Sequence, residues 1–214
     1  MLQSLLQRDA AMSQCGNFMQ LDIPPGIFAG YIFDLDGTLI DSMPIHYRAW
    51  DETMRRAGLP QKLDEDLFYT LGGVSTRRVG EMIAAHYGLQ VDADKLFHDK
   101  EALYNSLQIN AKVIAPTVEF ARRAAATHPL AVASGGPRAI VRRSLELNGL
   151  ASLFRVVVTA DDVKHGKPAP DMFLLAAKLM NVPARDCLVF EDAEPGFKAA
   201  AAAGMKLVKV PSRG

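Results

Sequence analysis

At 214 residues the chain can hold one generous domain, or a core domain with a smaller insert, because domains usually run about 100–200 residues. Hydrophobic residues make up 49% and charged residues 22%, which excludes the disordered and fibrous classes and leaves an ordinary globular protein. Lys plus Arg and Asp plus Glu each total 24, so no net field recruits nucleic acid or an anionic membrane, and an anionic ligand must be held by a local site.

Residues 1–28 carry no strong periodicity and end in the breaker Pro24-Pro25-Gly26. They read as a tail ahead of the fold, with Met12 and Met19 as alternative starts. Gln3, Gln7, Arg8, Asp9, Ser13 and Gln14 interrupt the opening, which lacks the basic start and apolar run of a signal peptide. Cys15 and Cys187 are far apart and have no metal-like spacing, so neither a disulfide framework nor a zinc site is expected. No window approaches the roughly 18 apolar residues that span a bilayer, and the expectation is a soluble, cytoplasmic protein.

The first strand is expected over 30–33, where Gly30-Tyr31-Ile32-Phe33 stops at the loop Asp34-Leu35-Asp36-Gly37-Thr38. The spacing of Ile45, Ala49, Trp50 and Met54 then predicts a helix over 44–58, followed by helical patterns around 63–71, 75–87 and 93–109. Beyond Pro116 the texture becomes strand and helix in alternation. The expected order is helix to 126, strand 130–133, helix 137–148, strand 156–158, helix 170–180, strand 187–190, helix 195–203 and strand 207–210. Repeated strand–helix units imply an α/β fold built on a doubly wound, Rossmann-like parallel sheet. The helical block interrupts that series after its first strand. The division is therefore a core of 29–42 and 115–214, with 43–114 as an inserted helical cap.

Four segments carry chemistry, each at the expected carboxyl end of a strand or in the loop between two strands. Asp34 and Asp36 leave the first strand, followed by Gly37, which lets the backbone approach a ligand closely. Glu191-Asp192 leave the strand that ends at Phe190, so four acids converge if both strands share the sheet's edge. Carboxylates that close repel one another without a cation, and an all-oxygen set points to magnesium rather than zinc. Ser134-Gly135-Gly136 offers a hydroxyl and exposed backbone amides at a helix start, a cradle suited to phosphate. Lys167, next to Pro168 and near Pro170, is a cation on a stiffened loop.

Together these segments resemble the haloacid dehalogenase-like hydrolase superfamily over about 30–210. The family's first motif stands as Asp34-Leu35-Asp36-Gly37-Thr38, its second as Ser134, its third as Lys167 and its fourth as Glu191-Asp192. The insert resembles the helical cap of the subgroup that holds beta-phosphoglucomutase and many sugar phosphatases, through the stretch from Asp41 to Trp50 and through Gly73-Val74-Ser75. The resemblance implies a magnesium-dependent phosphatase acting on a small phosphomonoester, with a sugar phosphate expected. Asp34 is then the nucleophile and Asp36 the general acid and base. Ser134, Gly135 and Lys167 hold the phosphoryl oxygens. Asp34, Asp36 through its backbone carbonyl, Asp192 and Glu191 through a water hold the metal. His46, Arg77 and Arg78 are candidate cap contacts to substrate. The alternative is a phosphohexomutase, against which Thr76 and Gly136-Pro137-Arg138 stand where that pattern carries groups for a second phosphate. A non-catalytic phosphate-binding protein would be expected to relax Asp34, Asp36 or Lys167, and all three are present. Neither nucleic acid nor membrane is an expected partner, and no feature marks an oligomeric one.

Overall fold

The computed structural model describes residues 21–211. Its centre is a five-stranded parallel sheet of β1 (Gly30–Phe33), β4 (Leu130–Ser134), β5 (Val156–Thr159), β6 (Cys187–Glu191) and β7 (Lys206–Lys209), in the order β5-β4-β1-β6-β7. Side chains alternate between two apolar layers, as a period of two requires. Tyr31, Phe33, Val132, Leu188 and Phe190 face one core, while Ile32, Ala131, Ala133, Cys187 and Val189 face the other. Helices α5 (Ala115–Ala124) and α6 (Arg138–Leu147) cover the first layer, and α7 (Asp171–Met180) and α8 (Glu194–Ala202) cover the second. A sheet buried on both faces accounts for the continuous apolar runs read in the sequence.

Phe33 pairs in register with Phe190 on one side and Val132 on the other, and the two rings stack at 4.6 Å. That register brings the carboxyl ends of β1, β4 and β6 to one edge of the sheet. The chain runs outward from β1 through β4 to β5, then returns to build β6 and β7 on β1's other flank. The edge therefore contains the switch in strand order where ligands bind in such sheets.

Residues 43–107 form four α-helices: α1 (Met43–Arg56), α2 (Glu65–Thr70), α3 (Thr76–His86) and α4 (Ala93–Leu107). They close on their own apolar cluster, in which Trp50, Met54, Phe68, Val79, Ile83 and Leu96 are buried. A two-residue antiparallel ribbon, β2 (Ile40–Asp41) against β3 (Lys112–Val113), joins the two chain crossings between this block and the sheet. The sequence reading missed this ribbon because two residues carry no periodicity. Strands β4, β5 and β6 run one residue further than expected, to Ser134, Thr159 and Glu191.

The expected tail also needs correction. Leu21 and Ile23 pack against the core, Phe28 is buried, and the Ala29 N–H donates to the Asp186 carbonyl at 2.8 Å, so 21–28 belongs to the folded body. Residues 1–20, with Met12, Cys15 and Met19, lie outside the described residues. Among the described residues no helix is long and apolar enough to cross a membrane.

Candidate active site

Strand β1 delivers Asp34 to the sheet edge with only 2% of its surface exposed, and its N–H donates to the Phe190 carbonyl at 3.0 Å. The buried Lys167 ammonium bridges two carboxylates, donating to Asp34 Oδ1 and to Glu191 Oε1, each at 2.6 Å. The second Glu191 oxygen accepts the Ala193 N–H at 2.8 Å, which fixes that carboxylate in its plane. Burial alone would lower the lysine's proton affinity. The two carboxylates outweigh it and hold Lys167 well above its ordinary range, as a permanent cation.

Asp192 completes the acidic group. Its Oδ1 accepts from the Thr38 hydroxyl at 3.0 Å, and Asp34, Glu191 and Asp192 each offer an oxygen within 4.8 Å of the others. Gly37 makes room for it: φ is +87°, and a Cβ there would stand 2.2 Å from Asp192 Oδ2. One lysine does not balance three acids. Burial raises Asp34 well above the carboxylate range despite Lys167, with Glu191, Asp192 and Asp36 adding to the rise. Burial, then Glu191, pushes Asp192 up to about 7 against the Thr38 hydrogen bond. A cluster of buried oxygen donors that resists full ionisation in this way fits a hard divalent cation.

Asp36 has a different setting. Its Oδ1 accepts from Ser42 Oγ at 2.6 Å and from His46 Nε2 at 3.1 Å, and its Oδ2 accepts from Ser134 Oγ at 3.4 Å. Burial would raise this carboxyl, but His46, Ser42 and the more distant Lys100 outweigh it and hold it at about 2. The other ring nitrogen, His46 Nδ1, lies 2.9 Å from Lys100 Nζ. An ammonium has protons to give and no lone pair, so Nδ1 accepts and the ring proton sits on Nε2, facing Asp36. Burial and the Lys100 charge depress His46, and Asp36 pulls in the other direction. Lys100 also donates to Glu101 Oε1 at 3.0 Å, and Tyr104 stacks on His46 with centroids 3.8 Å apart and planes 8° apart.

Thus Asp34, Asp36, Ser134, Lys167, Glu191, Asp192 and His46 come together at one edge of the sheet. Gly135 lies against the carbonyls of Gly73 and Val74, both 2.9 Å from where a Cβ on it would stand, so the loop between α2 and α3 meets the core directly. Arg77 and Arg78 do not reach the site. Arg77 pairs with Asp94 and lies over the Phe97 ring, and Arg78 pairs with Glu81, both on the solvent face of α3. Their neighbour Thr76 takes the inward position and lines the cavity. Sequence reasoning passed over Ser42, Lys100, Glu101 and Tyr104. A signal was there for two of them: Leu96, Lys100 and Tyr104 share the buried stripe of α4 at steps of four, and a lysine on such a stripe needs a partner.

The model of the haloacid dehalogenase-like hydrolases matches residues 28–204, and the chain belongs to that family. Fructose-1-phosphate phosphatase YqaB of Escherichia coli (strain K12) is 39% identical over 183 residues, covering 86% of this chain and 96% of the relative. Hexitol phosphatase A of the same organism is 32% identical over 183 residues, covering 85% and 82%. The crystal structure of beta-phosphoglucomutase from Clostridium difficile superposes with a TM-score of 0.75 over 85% of this chain and 83% of that one; at 23% identity it speaks for the fold alone.

Proposed function

We propose that the protein is a phosphatase that hydrolyses a small phosphomonoester, a sugar or polyol phosphate, through an aspartyl-phosphate on Asp34. The observation that carries this reading is the pairing of two unlike carboxylates two residues apart. Asp34 is bridged to a buried lysine, while Asp36 is held by Ser42, His46 and Ser134. The names of the similar phosphatases support the substrate class.

Asp34 attacks phosphorus and the ester oxygen leaves, forming the P–O bond to the carboxylate as the bond to the alcohol breaks. Lys167, Ser134 and the Gly135 amide hold the phosphoryl oxygens, which is the protein's main task in phosphoryl transfer. The arriving phosphate raises the proton affinity of Asp36 by like charge, and Asp36 gives its proton to the leaving oxygen. With the alcohol gone, Ser42 and His46 favour the ionised Asp36 again. That form takes a proton from the water that cleaves the acyl phosphate. Magnesium is the cofactor of this reading: Asp34, Asp192, Glu191 and the Asp36 backbone carbonyl would hold it, and when bound it neutralises charge between carboxylates and phosphate.

Residues 43–114 act as a cap that excludes bulk water and shapes the alcohol site. The cavity between Asp34 and these helices is about 50 Å³, walled by Trp50, Phe68, Leu71 and Val79. Its one cap cation, Lys100, is engaged by His46 and Glu101, and Arg77 is turned away to Asp94. Among the described residues lining this cavity, the one cap lysine or arginine is thus already engaged, which favours water over a second sugar hydroxyl and hence hydrolase over mutase. Hydrolysis of p-nitrophenyl phosphate tests the reading. Turnover is expected to vanish with a chelator and in Asp34→Asn, and retained turnover in either case contradicts it.

A further inference from the structure

Helix α3 carries a glycine that its backbone does not require. Gly80 is buried in the middle of the helix, and its φ is not positive, so no left-handed turn calls for it. Glycine is the poorest helix former after proline, which leaves packing to account for its presence. A Cβ on Gly80 would stand 2.7 Å from Trp50 Cη2, 3.2 Å from Trp50 Cζ3 and 3.2 Å from Leu96 Cδ2. The outer edge of the indole thus occupies the place of a side chain on α3.

The same indole walls the cavity on which Asp34 and Asp36 open. It stands at the far end of a row of contacts that begins at the general acid. Asp36 Oδ1 accepts from His46 Nε2 at 3.1 Å, His46 Nδ1 lies 2.9 Å from Lys100 Nζ, and that ammonium lies 5.6 Å from the centre of the Trp50 ring. Along α1, Trp50 follows His46 by one turn on the same face. An ester whose leaving oxygen sits at Asp36 therefore passes His46 with its first carbons and meets Trp50 with its last. Carbon atoms in contact lie about 3.5–4.0 Å apart, so a methyl group on Gly80 would displace the ring by roughly 1 Å. Trp50 belongs to the cap's apolar cluster, and a close-packed cluster yields toward empty space. The empty space that the ring borders is the cavity.

We propose that Gly80 is a specificity-determining residue: by leaving room for the Trp50 ring against α3, it sets the depth of the alcohol site and admits the distal carbons of a sugar or polyol phosphate. Gly80 touches no substrate atom and acts by positioning Trp50. The proposal rests on the reading of this cavity as the substrate site of a phosphatase.

The test measures kcat/KM by phosphate release from glycerol 1-phosphate, sorbitol 6-phosphate and sedoheptulose 7-phosphate, which carry three, six and seven carbons. Gly80→Ala should lower the value for the six-carbon ester about 10-fold or more, the effect of one methyl group in an apolar pocket, and leave the three-carbon ester within about 2-fold. Trp50→Phe removes the ring atoms that the methyl group strikes, so adding it to Gly80→Ala should restore most of the six-to-three-carbon ratio. Trp50→Phe alone should raise the seven-to-six-carbon ratio, and an unmoved ratio there overturns the proposal even where Gly80→Ala does not fold. Equal losses on the three- and six-carbon esters in Gly80→Ala would mean that the methyl group acts through Lys100, His46 and Asp36, and overturn it as well. If the unmodified protein hydrolyses none of the three esters, the phosphatase reading fails and the proposal with it; if it hydrolyses them and the ratios stay fixed in every variant, the proposal alone fails.

Discussion

Asp34 and Asp36 are two residues apart, yet their proton affinities move in opposite directions. Asp34 shares its space with two other acids and one lysine, whereas Asp36 accepts three hydrogen bonds, from Ser42, His46 and Ser134. Removing His46 tests the second half of that contrast. His46→Ala should let the Asp36 carboxyl rise from about 2 toward the ordinary carboxylate range. Breakdown of the acyl phosphate, which needs ionised Asp36, should then fail at a higher pH than in the unmodified enzyme. Single-turnover rates against pH check this, and an unmoved acidic limb would detach His46 from Asp36. Asp192 makes the opposite prediction for stability. Its folded pKa, about 7, lies above that of an unfolded aspartate, so the folded state binds the extra proton between about 4 and 7 and loses stability as pH rises through that range. A divalent cation relieves the repulsion but displaces that proton. Magnesium should therefore raise the melting temperature more at pH 8 than at pH 5, as thermal unfolding with and without the ion would show.

Among the elements, α4 joins the cap to the chemistry in a way that its sequence half conceals. Lys100 is fully buried and Glu101 nearly so, and together with Tyr104 they present a cation, an anion and an aromatic ring to His46. Lys100→Met should cost about 3–5 kcal/mol, because Glu101 is left as a buried charge without its partner. Adding Glu101→Gln should recover a large part of that loss, and urea unfolding of the single and double variants measures it. Equal destabilisation in both would mean that the lysine's packing, not its charge, matters. The helices themselves were legible from the apolar spacing of Ile45, Ala49, Trp50 and Met54, and of Leu96 and Tyr104. What a single chain does not display is which polar residue on such a stripe meets a partner far away: His46 and Lys100 are 54 positions apart. Arg77 and Arg78 illustrate the reverse error. Two arginines beside a cap loop suggest an anion site, but the helix phase that turns Thr76 inward sends both to solvent.

At the scale of the whole molecule, the parallel sheet turns sequence distance into proximity. Lys167 lies 133 positions from Asp34 and 24 from Glu191, and one ammonium touches both. Short loops after apolar strands made Asp34, Ser134 and Glu191 readable before any coordinates, because a strand's carboxyl end in such a sheet has only one edge to occupy. The ribbon of β2 and β3 and the packing of 21–28 were not readable: both depend on pairing with distant chain rather than on a local pattern. The central claim concerns covalent chemistry at that edge. Acid quenching during turnover of a phosphorus-32-labelled sugar phosphate, followed by peptide mapping, addresses it directly. The account predicts a hydroxylamine-sensitive label on the peptide that contains Asp34, absent in Asp34→Asn; full turnover with no label on that peptide would contradict it.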